Sequence, residues 1–508
     1  MVTDIGTGSF CLRNIKGFDN ELYIKKQSEQ ILNRISEFGG KLYLEFGGKL
    51  FDDYHASRVL PGFLPDTKIK MLRALASDAE IVIAIGAGDI ESGRMRSDIG
   101  ITYDNDVLRL TESFRDMGLY VGSVVITQYA DQPAAAAFKK RLEGIGMRVF
   151  CHYTIENYPY DLPIIVSERG FGRNDYIATS RPLVVVTAPG PGSGKMAVCM
   201  SQLYHENRRG VRAGYAKFET FPIWNLPLGH PVNLAYEAAT ADLGDVSMID
   251  PYHLEAYGRT AVNYNRDVES FPVLSAMLAQ ICGESPYRSP TDMGVNMAGY
   301  CISDPAAVEL AAGQEIIRRY FASVCDRKRG KACGEQEVTK LEFLMRKAGV
   351  TPDGRAVVGA ALDRSRDTGG HPAVAIGLAD GRIVTGKTSE LLGAASAALL
   401  NAVKAEAGID KCLKLIPPEV IEPIRRLKVE ALGNRNPRLH SDETLVALSI
   451  GAANSGPALA AFEALHALRG CEAHSSVLLS QVDEDVFRKL GINLTCEPVY
   501  GGRRLQYR

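Results

Sequence analysis

The chain has 508 residues, 46% hydrophobic and 23% charged, the balance of a packed protein rather than a disordered one. At about 150 residues per domain, this length predicts roughly three domains rather than one continuous core. Lys and Arg total 58 against 60 Asp and Glu, a formal net charge of -2, so no global field favours nucleic acid or an anionic membrane and any anion site must be local.

In chain order, Ile24, Ile31, Ile35 and Phe38 follow helical spacing, and Gly39 and Gly40 end that helix. A strand is expected over Lys41 to Phe46. Further apolar runs, Ile81 to Ile85, Val121 to Thr127 and Leu183 to Thr187, are separated by helical stretches such as Ala134 to Ile145. Short buried strands alternating with amphipathic helices predict an α/β fold with a mainly parallel sheet, occupying residues 1–225. From Pro231 the pattern turns helical: Val232 to Leu243, Val268 to Ile281, Pro305 to Cys325 and Gln336 to Lys347. A helical middle domain is therefore expected over 226–350, with Glu284 to Met293 as a loop inside it and the basic run Arg327 to Lys331 closing a long helix.

A smaller C-terminal α/β domain is expected over 351–508. There Ala373 to Leu378 and Arg382 to Thr385 flank Asp380-Gly381, a strong hairpin signal. A helix is expected from about Thr388 or Ser389 to Gly408, then helices near Pro418 to Leu432 and Pro457 to Leu468, and a strand over Ser475 to Leu479. The six-residue echo E-F-G-G-K-L at Glu37 to Leu42 and Glu45 to Leu50 is too short to be a repeat architecture.

The absence of an apolar run of about 18 residues, with neither basic nor apolar signal regions at Met1 to Gly6, predicts a cytoplasmic protein. The ten cysteines, from Cys11 to Cys496, form no C-x-x-C pair, and the nine histidines no H-E-x-x-H, so reduced thiols and no zinc are expected.

A phosphate loop needs a strand that delivers the chain, glycines that let N–H groups converge, a lysine, and a helix N-terminus. The text pattern G-x-x-x-x-G-K-[ST] occurs at Gly381 to Thr388, but Gly381 belongs to the hairpin turn, and Ile383 and Val384 favour a paired strand. The second candidate departs from the text and satisfies the physics. Strand Leu183 to Thr187 leads into Ala188, Pro189, Gly190, Pro191, Gly192, Ser193, Gly194 and Lys195, and then a helix carrying Met196, Cys199, Met200 and Leu203 on one face. Pro189 replaces the first glycine, and Met196 the hydroxyl residue that would hold Mg²⁺. Asp250 is the candidate to supply a metal ligand instead. A glycine-rich turn with a solvated lysine is the competing reading.

After the strand ending at Phe46, the segment Gly47 to Arg58 holds Lys49, Asp52, Asp53, His55 and Arg58, at the end of a strand where open parallel sheets bind ligands. These five are candidate catalytic residues; a self-paired surface loop is the alternative. Gly86 to Arg96 lacks the G-x-G-x-x-G spacing of dinucleotide sites, although Arg94 and Arg96 could contact an anion. Asp363 to His371 reads as a self-compensated surface turn.

The sequences F-G-G-K-L-F-D-D-Y-H-A-S-R-V-L-P-G-F at Phe46 to Phe63 and A-P-G-P-G-S-G-K at Ala188 to Lys195 resemble a bacterial family called domain of unknown function 1846, or uncharacterised protein family 0371. The resemblance covers nearly all of the chain after about residue 17. It implies an α/β N-terminal portion, a helical middle and a smaller C-terminal α/β/α domain. The hairpin Ala373 to Thr385 and its following helix also resemble the opening of a cytidine-deaminase-type layer, without that chemistry's zinc ligands. Together the motifs predict an enzyme that binds ATP or another nucleotide, with Mg²⁺, through Gly190, Gly192, Ser193, Gly194 and Lys195. It would act as a phosphotransferase or ligase on a small molecule, as a homo-oligomer without nucleic-acid or membrane partners. The alternative is a non-catalytic nucleotide or anion sensor.

Overall fold

The computed structural model describes residues 15–48, 50–51, 53–96, 99–331 and 334–501. They divide into two compact units. One comprises Phe18–Glu237 and Asp245–Pro305; the other runs from Ala306 onward and includes Ala238–Gly244. The helical stretch expected over 226–350 is thus shared between the units, and it is not free of strand. Ser247–Ile249 pairs antiparallel with Val262–Tyr264, and Gly294–Val295 joins the main sheet.

The first unit is built on seven strands: β1 Leu42–Phe46, β2 Ala79–Gly86, β3 Tyr120–Tyr129, β4 Val149–Tyr153, β5 Leu183–Thr187, β6 Gly214–Phe218 and β7 Gly294–Val295. Their order is β7-β6-β1-β5-β2-β3-β4, and every pairing is parallel. Strands β2 and β5 are buried at every residue, as central strands covered on both faces must be, which is why they read as almost unbroken apolar runs. Strands β4 and β6 were not anticipated, because His152 and Lys217 interrupt their apolar text. Burial holds His152 well below the ordinary imidazole value, at about 3, and its Nε2 lies 3.2 Å from the Asp175 carbonyl.

One face of this sheet, including Tyr43, Val82, Val125, Val184 and Val186, packs on Val198, Cys199 and Leu203 of the helix Lys195–Arg208 and on Phe271, Leu274 and Leu278 of the helix Asn265–Cys282. Each such side chain contributes roughly 1.5–3 kcal/mol on burial. This packing fixes the helix Lys195–Arg208 directly behind the end of β5. The chain order matters as much. After β1 it skips a position to β2, runs on through β3 and β4, and returns to insert β5 between β1 and β2 before crossing β1 to β6. Connections leaving β5 and β2 depart in opposite directions, as do those leaving β6 and β1. Carboxyl ends at such reversals leave crevices open to ligands.

The second unit contains β8 Ala373–Gly377, β9 Ile383–Lys387, β10 Glu472–Ser475 and β11 Asn493–Cys496, in the order β9-β8-β10-β11. Alternation sends Val374 and Ile376 into a core with the helix Ala394–Glu406, and Ala375 onto Val357 and Ala361 of the helix Ala356–Asp367 on the other face. Gly381 to Thr388, the literal phosphate pattern, is largely ladder: Ile383 to Lys387 pair antiparallel with Gly377 to Ala373. Two of the boundaries that differ from expectation have a visible cause. The helix expected from Thr388 or Ser389 starts at Ala394, because Ser389 and Leu392 first close a turn through Ser389 N–H to Leu392 O (2.9 Å) and Leu392 N–H to Ser389 Oγ (3.1 Å). The strand expected over Ser475 to Leu479 is Glu472–Ser475, because the Ser475 hydroxyl turns the chain by donating to Val477 O at 2.7 Å. Within this unit Glu472 is enclosed by Arg318 (2.9 Å) and Arg355 (2.7 Å), and Arg318 also meets Glu315 at 2.7 Å. Burial would raise the Glu472 carboxyl; the two guanidiniums outweigh it and hold the group below its ordinary value.

Candidate functional site

The loop Ala188 to Gly194 follows β5 at one of these reversals. Gly192 and Gly194 have φ of +81° and +79°, which side chains of L residues rarely adopt. Gly190 is required for another reason: an added Cβ would lie 2.1 Å from the Tyr103 hydroxyl. Two hydroxyls fix the turn, the Ser193 Oγ donating to Gly190 O (3.0 Å) and the Thr127 Oγ1 of β3 donating to Ser193 O (3.0 Å). Among the described residues, the N–H groups of Gly192, Gly194 and Lys195 have no hydrogen-bond partner, while a tight turn at residues 191–192 brings the Ser193 N–H back toward the Gly190 carbonyl. They stand at the N-terminus of a 14-residue helix, where the dipole favours an anion. The Lys195 side chain, half-buried in the first turn, makes no hydrogen bond or ion pair among the described residues. Arg94 reaches the loop from beyond β2: it is bonded to Asp89 (3.0 Å), stacked on the Tyr103 ring (5.0 Å) and 3.5 Å from Pro191 O. Arg96 instead pairs with buried Asp106 at 2.9 Å.

The second reversal, between β1 and β6, receives the segment after Phe46. Lys49 and Asp52 lie outside the described residues. Asp53 caps the helix Tyr54–Val59 through Ala56 N–H (3.2 Å), and its other oxygen meets buried Lys68 at 2.8 Å. Burial would raise the Asp53 carboxyl, but the Lys68 ammonium outweighs it and holds the group below its usual range. The His55 ring lies 5.3 Å from Phe221 and 6.4 Å from Tyr236, and Phe221 and Tyr236 stack at 5.8 Å. Arg58 sits half-buried in the last turn of the same helix.

The aromatic wall continues from Tyr236 to Tyr264 at 6.1 Å and there meets a polar cluster absent from the sequence reading. Lys217 of β6 donates to Tyr264 Oη (2.5 Å), Glu219 Oε1 (2.9 Å) and an Asp267 carboxylate oxygen. The Tyr264 hydroxyl also lies 3.4 Å from Glu219 Oε1. Burial raises the Glu219 carboxyl to about 8; Lys217 opposes the rise and the neighbouring Asp267 carboxylate adds to it. The Asp267 and Glu219 carboxylates, among other groups, hold Lys217 well above its ordinary value despite its burial. Glu45 of β1, accepting from the Tyr215 hydroxyl at 2.7 Å, acts on Lys217 and, together with Lys195, on the Cys199 thiol. Glu45 stands opposite Lys217 in the register of β1 on β6. The missed signal was the spacing in Gly214 to Thr220, where Lys217 near the end of a short strand and Glu219 just beyond it sit two apart.

Asp250, the expected magnesium ligand, has both oxygens occupied. Oδ1 accepts from His253 N–H (3.0 Å) as the cap of the helix Pro251–Tyr257, and Oδ2 accepts from Thr291 N–H (3.2 Å) and its hydroxyl (2.6 Å). Among the described residues no group of three or more His, Cys, Asp and Glu is arranged to hold a metal ion, and no helix is long and apolar enough to cross a membrane.

Residues 16–349 match the model of the N-terminal domain of unknown function DUF1846, and residues 353–506 match its C-terminal counterpart. The junction falls beside the turn Pro352–Gly354. A UPF0371 protein of Streptococcus thermophilus is 58% identical over 485 residues, spanning 96% of this chain and 98% of its own length. One from Streptococcus pneumoniae is 57% identical over 490 residues, spanning 96% and 99%. On matches of this extent, the chain belongs to the conserved family of unknown function DUF1846, named UPF0371 among its relatives.

Proposed function

We propose that this protein binds the phosphates of a nucleotide at Gly190, Gly192, Ser193, Gly194 and Lys195 and is a phosphotransferase or ligase acting on a small molecule. The observation that carries the reading is the set of unpartnered N–H groups of Gly192, Gly194 and Lys195, at the N-terminus of a buried helix beside a lysine without an ion-pair partner. Arg94 is positioned to add a second positive charge. Mg²⁺ would enter with the nucleotide, held chiefly by phosphate oxygens and water as this ion prefers, since Asp250 is occupied elsewhere. The candidates Asp53 and His55, with Lys49, Asp52 and Arg58 of the same segment, would meet the second substrate at the neighbouring crevice. A cytoplasmic homo-oligomer belongs to the same reading; the exposed Val446 and Ile450, one turn apart in the second unit, are apolar surface of the kind that association covers, and light scattering tests it.

Isothermal titration of ATP, GTP and phosphorylated metabolites decides the matter. Binding is expected for wild type and for Lys387→Ala, which alters the literal pattern on β9, and is expected to weaken at least about tenfold in Lys195→Ala. Equal affinities for Lys195→Ala and wild type, or no binding, would overturn it. Pro189 and Met196, departures from a hydrolytic loop, favour a second reading as a sensor without turnover, which sustained product release abolished by Lys195→Ala would eliminate.

A further inference from the structure

Lys217, Glu219, Tyr264 and Asp267 form a closed polar cluster at the carboxyl end of β6, in the crevice next to the glycine loop. Two carboxylates share a single ammonium: Nζ of Lys217 lies 2.9 Å from Glu219 Oε1 and bonds Asp267 Oδ2. Asp267 is the more open of the two, its side chain 20% exposed against 5% for Glu219. The groups around them come from each surrounding element: Lys217 on β6, Glu45 opposite it on β1, Tyr264 at the start of the helix Asn265–Cys282, and Tyr236 on the helix Pro231–Ala239, while Arg266 lies over the Tyr264 ring and pairs with Asp245 at 2.6 Å. Two carboxylates this close titrate as a pair and retain a proton that an isolated carboxylate would lose. Burial pushes the Glu219 carboxyl up to about 8, and the neighbouring Asp267 carboxylate adds to the rise.

We propose that the Glu219–Asp267 carboxyl pair is the proton-transfer group for an uncharged, hydroxyl-bearing acceptor bound along the His55, Phe221, Tyr236 and Tyr264 wall. The assignment rests on nucleotide binding at Gly190 to Lys195. Charge selects the acceptor class. An ammonium substrate would pair with Asp267 and tie up the carboxylate that must take the proton, and an anionic one would meet Asp267 and Glu45. The acceptor hydroxyl reaches Asp267, whose carboxylate takes its proton and shares it with ionised Glu219. Its oxygen bonds to the terminal phosphorus as the P–O bond to the nucleoside diphosphate breaks, and the proton leaves to water after product release. Lys217 holds the two carboxylates together; it is a positioning residue.

The test uses full-length protein, ATP, and polyol, amine and carboxylate acceptors, with nucleotide binding measured separately from transfer. Glu219→Gln and Asp267→Asn are each expected to bind ATP within about twofold of wild type and to lose at least about 100-fold in transfer to polyols. The wild-type rate is expected to rise with pH through about 8 as the pair loses its retained proton, a rise absent in Glu219→Gln. Unchanged transfer in both variants, a pH rise that survives Glu219→Gln, no polyol transfer by wild type, or a preference for amine or carboxylate acceptors would overturn the assignment while leaving the nucleotide site intact. Absence of ATP binding by wild type would overturn both.

Discussion

Replacing Gly190 by alanine tests the glycine loop through its packing, without a ligand. The new methyl would lie 2.1 Å from the Tyr103 hydroxyl oxygen and 2.5 Å from Cζ, where ordinary contact begins at 3.4 Å. More than an ångström of overlap exceeds what side-chain settling absorbs, and Tyr103 has little room to retreat. It is 5% exposed, opens the helix Tyr103–Asp116 and is covered by the Arg94 guanidinium. Overpacking of this kind costs about 1–3 kcal/mol, which lowers Tm by about 2–4 °C per kcal/mol in a unit of this size. Thermal and urea unfolding of Gly190→Ala, Tyr103→Ala and the double variant isolate the contact. Tyr103→Ala removes the atoms that the methyl strikes, so the double variant is expected to be at least about 1 kcal/mol more stable than the sum of the single effects. Strictly additive losses, or no loss in Gly190→Ala, would refute the packing argument and with it the shape of the loop.

Asp250→Ala is expected to destabilise the first unit by about 1–3 kcal/mol, since it strips a helix cap and leaves Thr291 without its acceptor; chemical unfolding measures it, and a neutral result would return Asp250 to the candidate ligands. In the second unit, Glu472→Ala leaves Arg318 and Arg355 facing each other in a buried site and should cost about 3–5 kcal/mol, whereas loss of the exposed pair Asp363–Arg366 should cost less than about 1 kcal/mol. His152 is buried neutral, its folded value of about 3 lying below that of the unfolded chain, so its contribution is complete above about pH 6.5 and is lost as pH falls toward 3. Between those limits the loss approaches about 1.4 kcal/mol per pH unit, and the difference in stability between pH 7 and pH 4.5 should shrink in His152→Gln.

The parts of the fold that announce themselves in the text are those whose physics is local. Strands β2 and β5 are apolar at almost every position because both faces are covered, and Asp380-Gly381 turns β8 into β9 as its dipeptide predicts. Asp250 followed by Pro251 is itself a helix-start signal, a proline in the first turn after a capping aspartate, and that local reading outweighs the remote one of metal ligation. Lys217 and Glu219 were hidden for the opposite reason. Their partners, Tyr264 and Asp267, lie about fifty positions further on, and charged residues in a short strand break the apolar pattern by which strands are found. The residues that hold the cluster together are those that obscure its strand.

The late arrival of β5 bears on how the chain is made. Until Leu183–Thr187 has left the ribosome, β1 and β2 have no common neighbour, and the early chain holds two strand edges that only a later segment can join. Fragments ending before Leu183 lack the central strand, so shortened versions cut there should aggregate rather than fold. The same strand carries the glycine loop at its end, so the step that seals the sheet also delivers the loop. A nascent or damaged chain with an unsealed sheet would also lack the ordered glycine loop, so closure of the sheet and formation of the loop stand or fall together.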